Sequence, residues 1–141
     1  MKIILCDTNI IFPIFARIIK WELIDKSSIF ELAKKHEVYI STNILEELDE
    51  NLEEQLWLIL KEEYIYTFVR ISNIKIHNSN AFDEDMVKYV NDRDDAQILQ
   101  DAVDIKADYI LSRNIKDFDI RNINQRFQIK VIWFINEELL N

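Results

Sequence analysis

Glycine is absent from this chain of 141 residues, although average usage of ~7% would place roughly ten in it. That absence excludes a phosphate-cradling P-loop and a dinucleotide-binding glycine fingerprint, because both need several glycines for tight turns and close backbone approach. Turns and left-handed caps must be made by other residues. The twelve asparagines are the expected substitutes, since Asn tolerates positive φ better than most side chains. Cysteine occurs once, at Cys6, which excludes an internal disulfide framework and fits a reducing compartment. Basic residues are also short, with 17 Lys and Arg against 26 Asp and Glu and a net charge of −9. No uncharged apolar run approaches the ~18 residues of a membrane span. Ile3 to Ile19 is mostly apolar, but Asp7 and Arg17 interrupt it, the single proline, Pro13, falls inside it, and no small-residue cleavage site follows. A soluble, cytoplasmic protein without membrane contact is expected.

What is present is an ordinary globular composition, 49% hydrophobic, in a length that fits one domain over residues 1–141. Lys2–Cys6 reads as a buried strand, and 10–21 as a helix that Pro13 can enter only in its first turn. Ser28 with Glu31 forms a capping box for a helix ending near His36. A short strand follows at 38–40. From Thr42 onwards Leu45, Leu48, Leu52, Leu56 and Ile59 make one stripe of a long helix. Residues 64–77 fit either a strand or a helical hairpin. A short helix is expected over 82–91, a clearer one over 95–106, strands over 108–112 and 128–133, and a terminal helix capped by Asn136. Strands separated by helical stretches of this length predict an α/β fold with a parallel sheet.

Four acids stand out against this pattern. Asp7 ends the first strand in Asp7-Thr8-Asn9, and parallel sheets bind ligands beyond the carboxyl ends of their strands. Thr8-Asn9 offers enough capping chemistry to leave Asp7 for another role. Asp95 shares a helical face with Ile98, Leu99, Ala102 and Ile105, and a carboxylate in a core-facing stripe is costly unless something neutralises it. Asp94 is as good a candidate for the helix cap. Glu47 lies in the segment Ser41 to Leu48, where Glu46 and Glu47 flank opposite edges of the leucine stripe. Asp117 follows the strand ending in Ser112-Arg113-Asn114. If the fold gathers these acids, they form a carboxylate nest that requires divalent cations. His36 and His77 show no metal-ligand spacing with each other or with Cys6, and read as structural or surface residues.

The ordered set of anchors resembles the PIN-domain ribonuclease family. It consists of Asp7-Thr8-Asn9, the segment Ser41 to Leu48, Asp95 with Ala102 seven residues on, and Ala107 to Asn114 leading to Asp117-Phe118. The resemblance implies a central parallel β-sheet flanked by α-helices, with acids at its carboxyl edge. It also implies Mg²⁺- or Mn²⁺-dependent hydrolysis of RNA, in many members as the toxin of a toxin–antitoxin pair. Asp7, Glu47 and Asp95 match the metal-binding acids. Asn114 matches the fourth position, with Asp117 the nearby acid, and Glu46 is the fallback for Glu47. Thr8, Asn9, Ser112, Arg113 and Lys116 are the expected substrate contacts. The implied partners are RNA, a cognate antitoxin and a second copy of the chain.

Net charge is the main objection, since nucleic-acid binding rests on Lys and Arg meeting phosphates. The charge is uneven. Residues 44–63 hold eight acids and one base, whereas 105–130 hold six bases and three acids. The acidic helix therefore suits an antitoxin or a second subunit better than RNA. Two other classes also use an Asp after the first strand or acids around Mg²⁺. A haloacid-dehalogenase-type phosphatase needs a second Asp where this chain has Asn9. A receiver-like module needs a central-strand Asp and a later strand-end Lys, and neither is evident. A PIN fold without nuclease activity, acting as a metal- or partner-binding module, is the strongest alternative.

Overall fold

A computed structural model describes residues 1–7, 10, 28–43 and 73–133. Within them the chain runs β1 (Ile3–Cys6), α1 (Ser28–Lys35), β2 (Glu37–Ser41), β3 (Lys75–His77), a 3-10 helix (Glu84–Tyr89) and α2 (Asp95–Asp104). β4 (Tyr109–Leu111), a 3-10 turn (Ile115–Asp117), α3 (Ile120–Phe127) and β5 (Lys130–Ile132) complete it. The expected helix over 10–21 beyond Ile10, the body of the leucine-striped helix, residues 64–72 and the terminal helix lie outside the described residues. α3 has no counterpart in the expected elements. Its signals are local: Asp119 accepts a hydrogen bond from the Asn122 N–H at 3.4 Å, and Ile120, Ile123 and Phe127 recur at spacings of three and four.

The five strands form one all-parallel sheet in the order β3-β2-β1-β4-β5, flanked by helices. β1 sits at the centre, with chain order running to one side through β2 and β3 and to the other through β4 and β5. Ile4, Leu5 and Cys6 are each fully buried, as expected of a central strand covered on both faces. Register then decides which side chains share a face. Leu5 pairs with Tyr39 and Ile110, and Ile110 with Val131. Leu5, Ile110 and Val131 join Ile98, Leu99 and Ala102 of α2, and Ile123 of α3, in one core cluster. The inward stripe expected of α2 is therefore present, with Ile98, Leu99 and Ala102 at 1% exposure or less.

Without glycine, three other residues adopt positive φ among the described residues: Asn73 at 60°, Lys106 at 56° and Gln128 at 58°. Only one is an asparagine. Asn73 also donates through its side chain to the Ala33 carbonyl at 3.2 Å, tying the entry of β3 to α1. Lys106 and Gln128 follow the ends of α2 and α3. After α2, the Ala107 N–H reaches the Ala102 carbonyl at 2.9 Å and the Lys106 N–H reaches Val103 at 3.1 Å. This is the paired helix-end motif that favours glycine at the left-handed position. A Cβ there is unfavourable by ~1–2 kcal/mol, part of which glycine's greater unfolded-state freedom returns. Lys106→Gly should therefore raise the melting temperature by about 3 °C in a thermal melt. A fall would show that the lysine side chain stabilises the turn by contacts of its own.

Candidate functional site

The carboxyl edge of the sheet carries a row of polar side chains. β2 and β3 pair Ser41 with His77. Carrying the Leu5–Tyr39 and Cys6–Leu111 pairings onward along the strands sets Asp7 level with Ser41 and Ser112. Paired residues point to the same face, here the face of Leu5 and Ile110 that α2 covers. The row His77, Ser41, Asp7, Ser112 thus continues the core face beyond the last apolar layer. Asp7 is 5% exposed, and Ser41 and Ser112 are fully buried.

Asp7 stands where chain order reverses across the sheet, between β1 and β4, the position at which open α/β sheets bind ligands. Its backbone N–H donates to the Leu111 carbonyl at 2.9 Å, and its own carbonyl accepts from Ile10 at 3.0 Å. The Ser112 hydroxyl donates to Asp7 Oδ2 at 2.8 Å and accepts the Asn114 N–H at 3.1 Å. One serine therefore joins the strand-end acid to the loop that carries Arg113 and Asn114, both exposed. The Asn114 carbonyl accepts the Asp117 N–H at 3.0 Å, and Asp117, partly buried, offers its carbonyl to Asn91 at 2.8 Å. Lys116 is exposed. Asp95 is partly buried at the first residue of α2, and Asp94 before it makes no side-chain cap bond. Thr8, Asn9 and Glu47 lie outside the described residues.

Asp7, Asp95 and Asp117 belong to no group of three ligand atoms at metal-binding separation among the described residues. The group that does assemble is His77, Asp101 and Asp104, whose ligand atoms all lie within 4.8 Å of one another. His77, expected to be structural or superficial, instead ends β3 facing two carboxylates of α2, with its Nε2 3.8 Å from Asp101 Oδ1 and 3.9 Å from Asp104 Oδ2. These residues could hold a metal ion. Asp101 is fully buried, and burial pushes its carboxyl above the usual range, against the pull of hydrogen bonds from Ser41, Ser79 and Gln97 and of the nearby His77. The deepest acid of α2 is thus Asp101 rather than Asp95. The helical stripe gave no sign of it, because Asp101 sits beside the apolar face, opposite sheet residues Ser41 and His77 that are distant in sequence.

Cys6, next to Asp7, is a buried thiol held in its neutral form. It is fully buried, and burial, with a smaller contribution from the Asp7 charge, pushes its thiol up to about 12. The thiolate that would attack an electrophile is accordingly negligible at neutral pH.

Some of the basic residues are already engaged. Arg126 pairs with Asp85 and donates to the Tyr89 hydroxyl at 2.7 Å, and Lys88 bridges to Asp85 at 2.7 Å. Among the described residues no helix is long and apolar enough to cross a membrane. No family model matches the chain, and no curated protein or solved structure matches it. Fold and site together define a parallel α/β protein with a buried strand-end aspartate at its topological switch point and a metal-competent His/Asp/Asp group along the same edge.

Proposed function

We propose that this protein is a divalent-metal-dependent endoribonuclease of the PIN type, acting as the toxin of a toxin–antitoxin pair. The observation that carries the reading is Asp7, a nearly buried carboxylate at the switch point, held by Ser112 from the end of the neighbouring strand. The five-stranded parallel sheet suits such a fold. The donor set proposed for the ion is all oxygen (Asp7, Glu47 and Asp95, with Asn114 or Asp117), which suits Mg²⁺ or Mn²⁺ rather than zinc. Mg²⁺ commonly takes only one or two carboxylates and keeps several waters, so a tight three-acid cluster is not required.

Bound metal would supply Lewis-acid stabilisation of the phosphoryl oxygens and an acidified water. The chain's own residues do the rest. Ser112 orients Asp7 by donating to its Oδ2 at 2.8 Å. Arg113 and Lys116, exposed on the loop after β4, are suited to meeting the phosphate backbone. Asn114 presents a neutral amide in the same loop. Binding to RNA should be weak and salt-sensitive, because the chain carries a charge of −9 and ion pairs occupy part of its basic surface.

One observation favours a second reading, a nuclease-inactive PIN-type module that binds a partner. Acid excess is concentrated in residues 44–63, with eight acids and one base, a better match for a basic segment than for RNA. Labelled RNA incubated with the purified protein in Mg²⁺, Mn²⁺ or EDTA separates the two. Cleavage that appears with either metal and disappears in EDTA supports the enzyme. Cleavage that survives EDTA, or none under any condition, overturns it.

A further inference from the structure

The His77, Asp101, Asp104 group lies along the same sheet edge as Asp7 but shares no residue with the proposed nuclease set, and its chemistry differs from theirs. Asp101 and Asp104 are three residues apart on α2 and so project from one side of the helix. His77 closes the group from the end of edge strand β3. Each carboxylate is already oriented. Asp101 Oδ2 accepts from the Ser79 hydroxyl at 3.1 Å, and Oδ1 from the Gln97 amide at 3.1 Å. Asp104 Oδ1 accepts from Gln100 at 2.9 Å, and Oδ2 from Asn80 at 3.4 Å. Ser79 is itself fixed, accepting the Asn43 N–H at 3.2 Å and donating its own N–H to Thr42 Oγ1 at 2.9 Å.

Against these satisfied groups, His77 Nε2 is conspicuous. It is the one buried side-chain nitrogen or oxygen without a hydrogen-bond partner among the described residues. Buried polar atoms are nearly always paired, so an orphan calls for an explanation. It points at both carboxylates from 3.8 and 3.9 Å, too far for a hydrogen bond. Two ligands held at ~2.1 Å by one tetrahedral ion lie about 3.4 Å apart. The two His77 distances exceed this by about half an ångström, and all three ligand atoms lie within 4.8 Å of one another, so a local contraction would seat an ion among them. The Asp104 side chain is 24% exposed and that of His77 18%, leaving a route for entry and for water ligands.

We propose that His77, Asp101 and Asp104 bind a divalent transition-metal ion of the zinc class, clipping edge strand β3 to helix α2. An imidazole nitrogen with two carboxylates selects such an ion over Mg²⁺, which prefers oxygen throughout. The clip joins a three-residue edge strand to the helix that covers the central core, so the ion stabilises the fold by binding only its folded form.

The test uses the full, untagged chain, stripped with EDTA and dialysed. Zn²⁺ is titrated calorimetrically, and Co²⁺ is followed by the visible absorption of its bound form. The expected result is one saturable site per chain that Mg²⁺ at equal concentration does not displace, with a melting temperature raised by several degrees in Zn²⁺. Affinity should fall at least tenfold in His77→Gln and in Asp104→Asn and stay unchanged in Asp7→Asn. The Asp7→Asn arm keeps this site distinct from the proposed nuclease centre. Thermal melts establish that each variant folds, and should His77→Gln fail to do so, the partly exposed Asp104→Asn carries the same comparison. Absence of saturable binding, or binding lost in Asp7→Asn and kept in His77→Gln and Asp104→Asn, overturns the proposal.

Discussion

Asp7→Asn should, on the proposed nuclease reading, lower metal-dependent RNA cleavage by ~10³-fold or more, because removing a carboxylate proposed to bind the metal forfeits several kcal/mol of transition-state stabilisation. The same substitution should leave the EDTA-treated protein as stable as the wild type or more so. Asp7 is 5% exposed, and withdrawing an ionised carboxylate from water costs more than withdrawing a neutral amide. Asn keeps the shape and removes the charge, and the Ser112 hydroxyl can pair with an amide as readily as with a carboxylate. Added Mg²⁺ should raise the melting temperature of the wild type and do much less for the variant, since it binds only the folded site. Such opposition between stability and activity is common where function requires an unfavourable group. Cleavage assays and melts with EDTA and with Mg²⁺ read both halves. Wild-type cleavage by Asp7→Asn, or a melting temperature several degrees lower in EDTA, would make Asp7 a structural acceptor for Ser112.

Leu99→Ala carries the largest expected effect on folding. Leu99 is fully buried on the inner face of α2, in one cluster with Leu5, Ile110 and Ile123. Truncating a leucine at such a position removes transfer free energy and leaves a cavity that a close-packed core only partly refills, a loss of ~2–5 kcal/mol. Against a net stability of order 5–15 kcal/mol, the urea midpoint should fall steeply. Ile120→Ala on α3 is the control: Ile120 is 38% exposed, and its truncation should change stability far less. The consequence reaches both proposed sites, because α2 carries Asp95, Asp101 and Asp104. Equal urea midpoints for the two variants would show that α2 does not pack on the sheet as described.

Much of the architecture is legible in the residues because it depends on local patterns. The apolar run before Asp7, the Ser28 to Lys35 helix, the Asp95 to Asp104 helix and the short strands at 37–41, 109–111 and 130–132 all stand where periodicity puts them. Helical and strand repeats are set by backbone geometry over a few residues, so one sequence suffices to read them. The position of Asp7 at a strand end is legible for the same reason. α3 shows the limit of that reading, since its apolar positions are few and eight residues carry little periodic signal.

What the tertiary structure alone decided is which polar groups meet. Asp95 shares the helical stripe with Ile98 and Leu99, yet it is only partly buried at the start of α2, while Asp101 is fully buried. His77 lacks any ligand spacing along the chain, yet β3 brings it to the two carboxylates of α2. Ser112 meets Asp7 across 105 residues. The physical reason is common to all three. Helical phase ranks the residues of one helix, but burial and ligand geometry depend on what lies opposite. Here that is fixed by strand order and register, which place His77, Ser41, Asp7 and Ser112 in one row beneath a helix whose sequence says nothing of them.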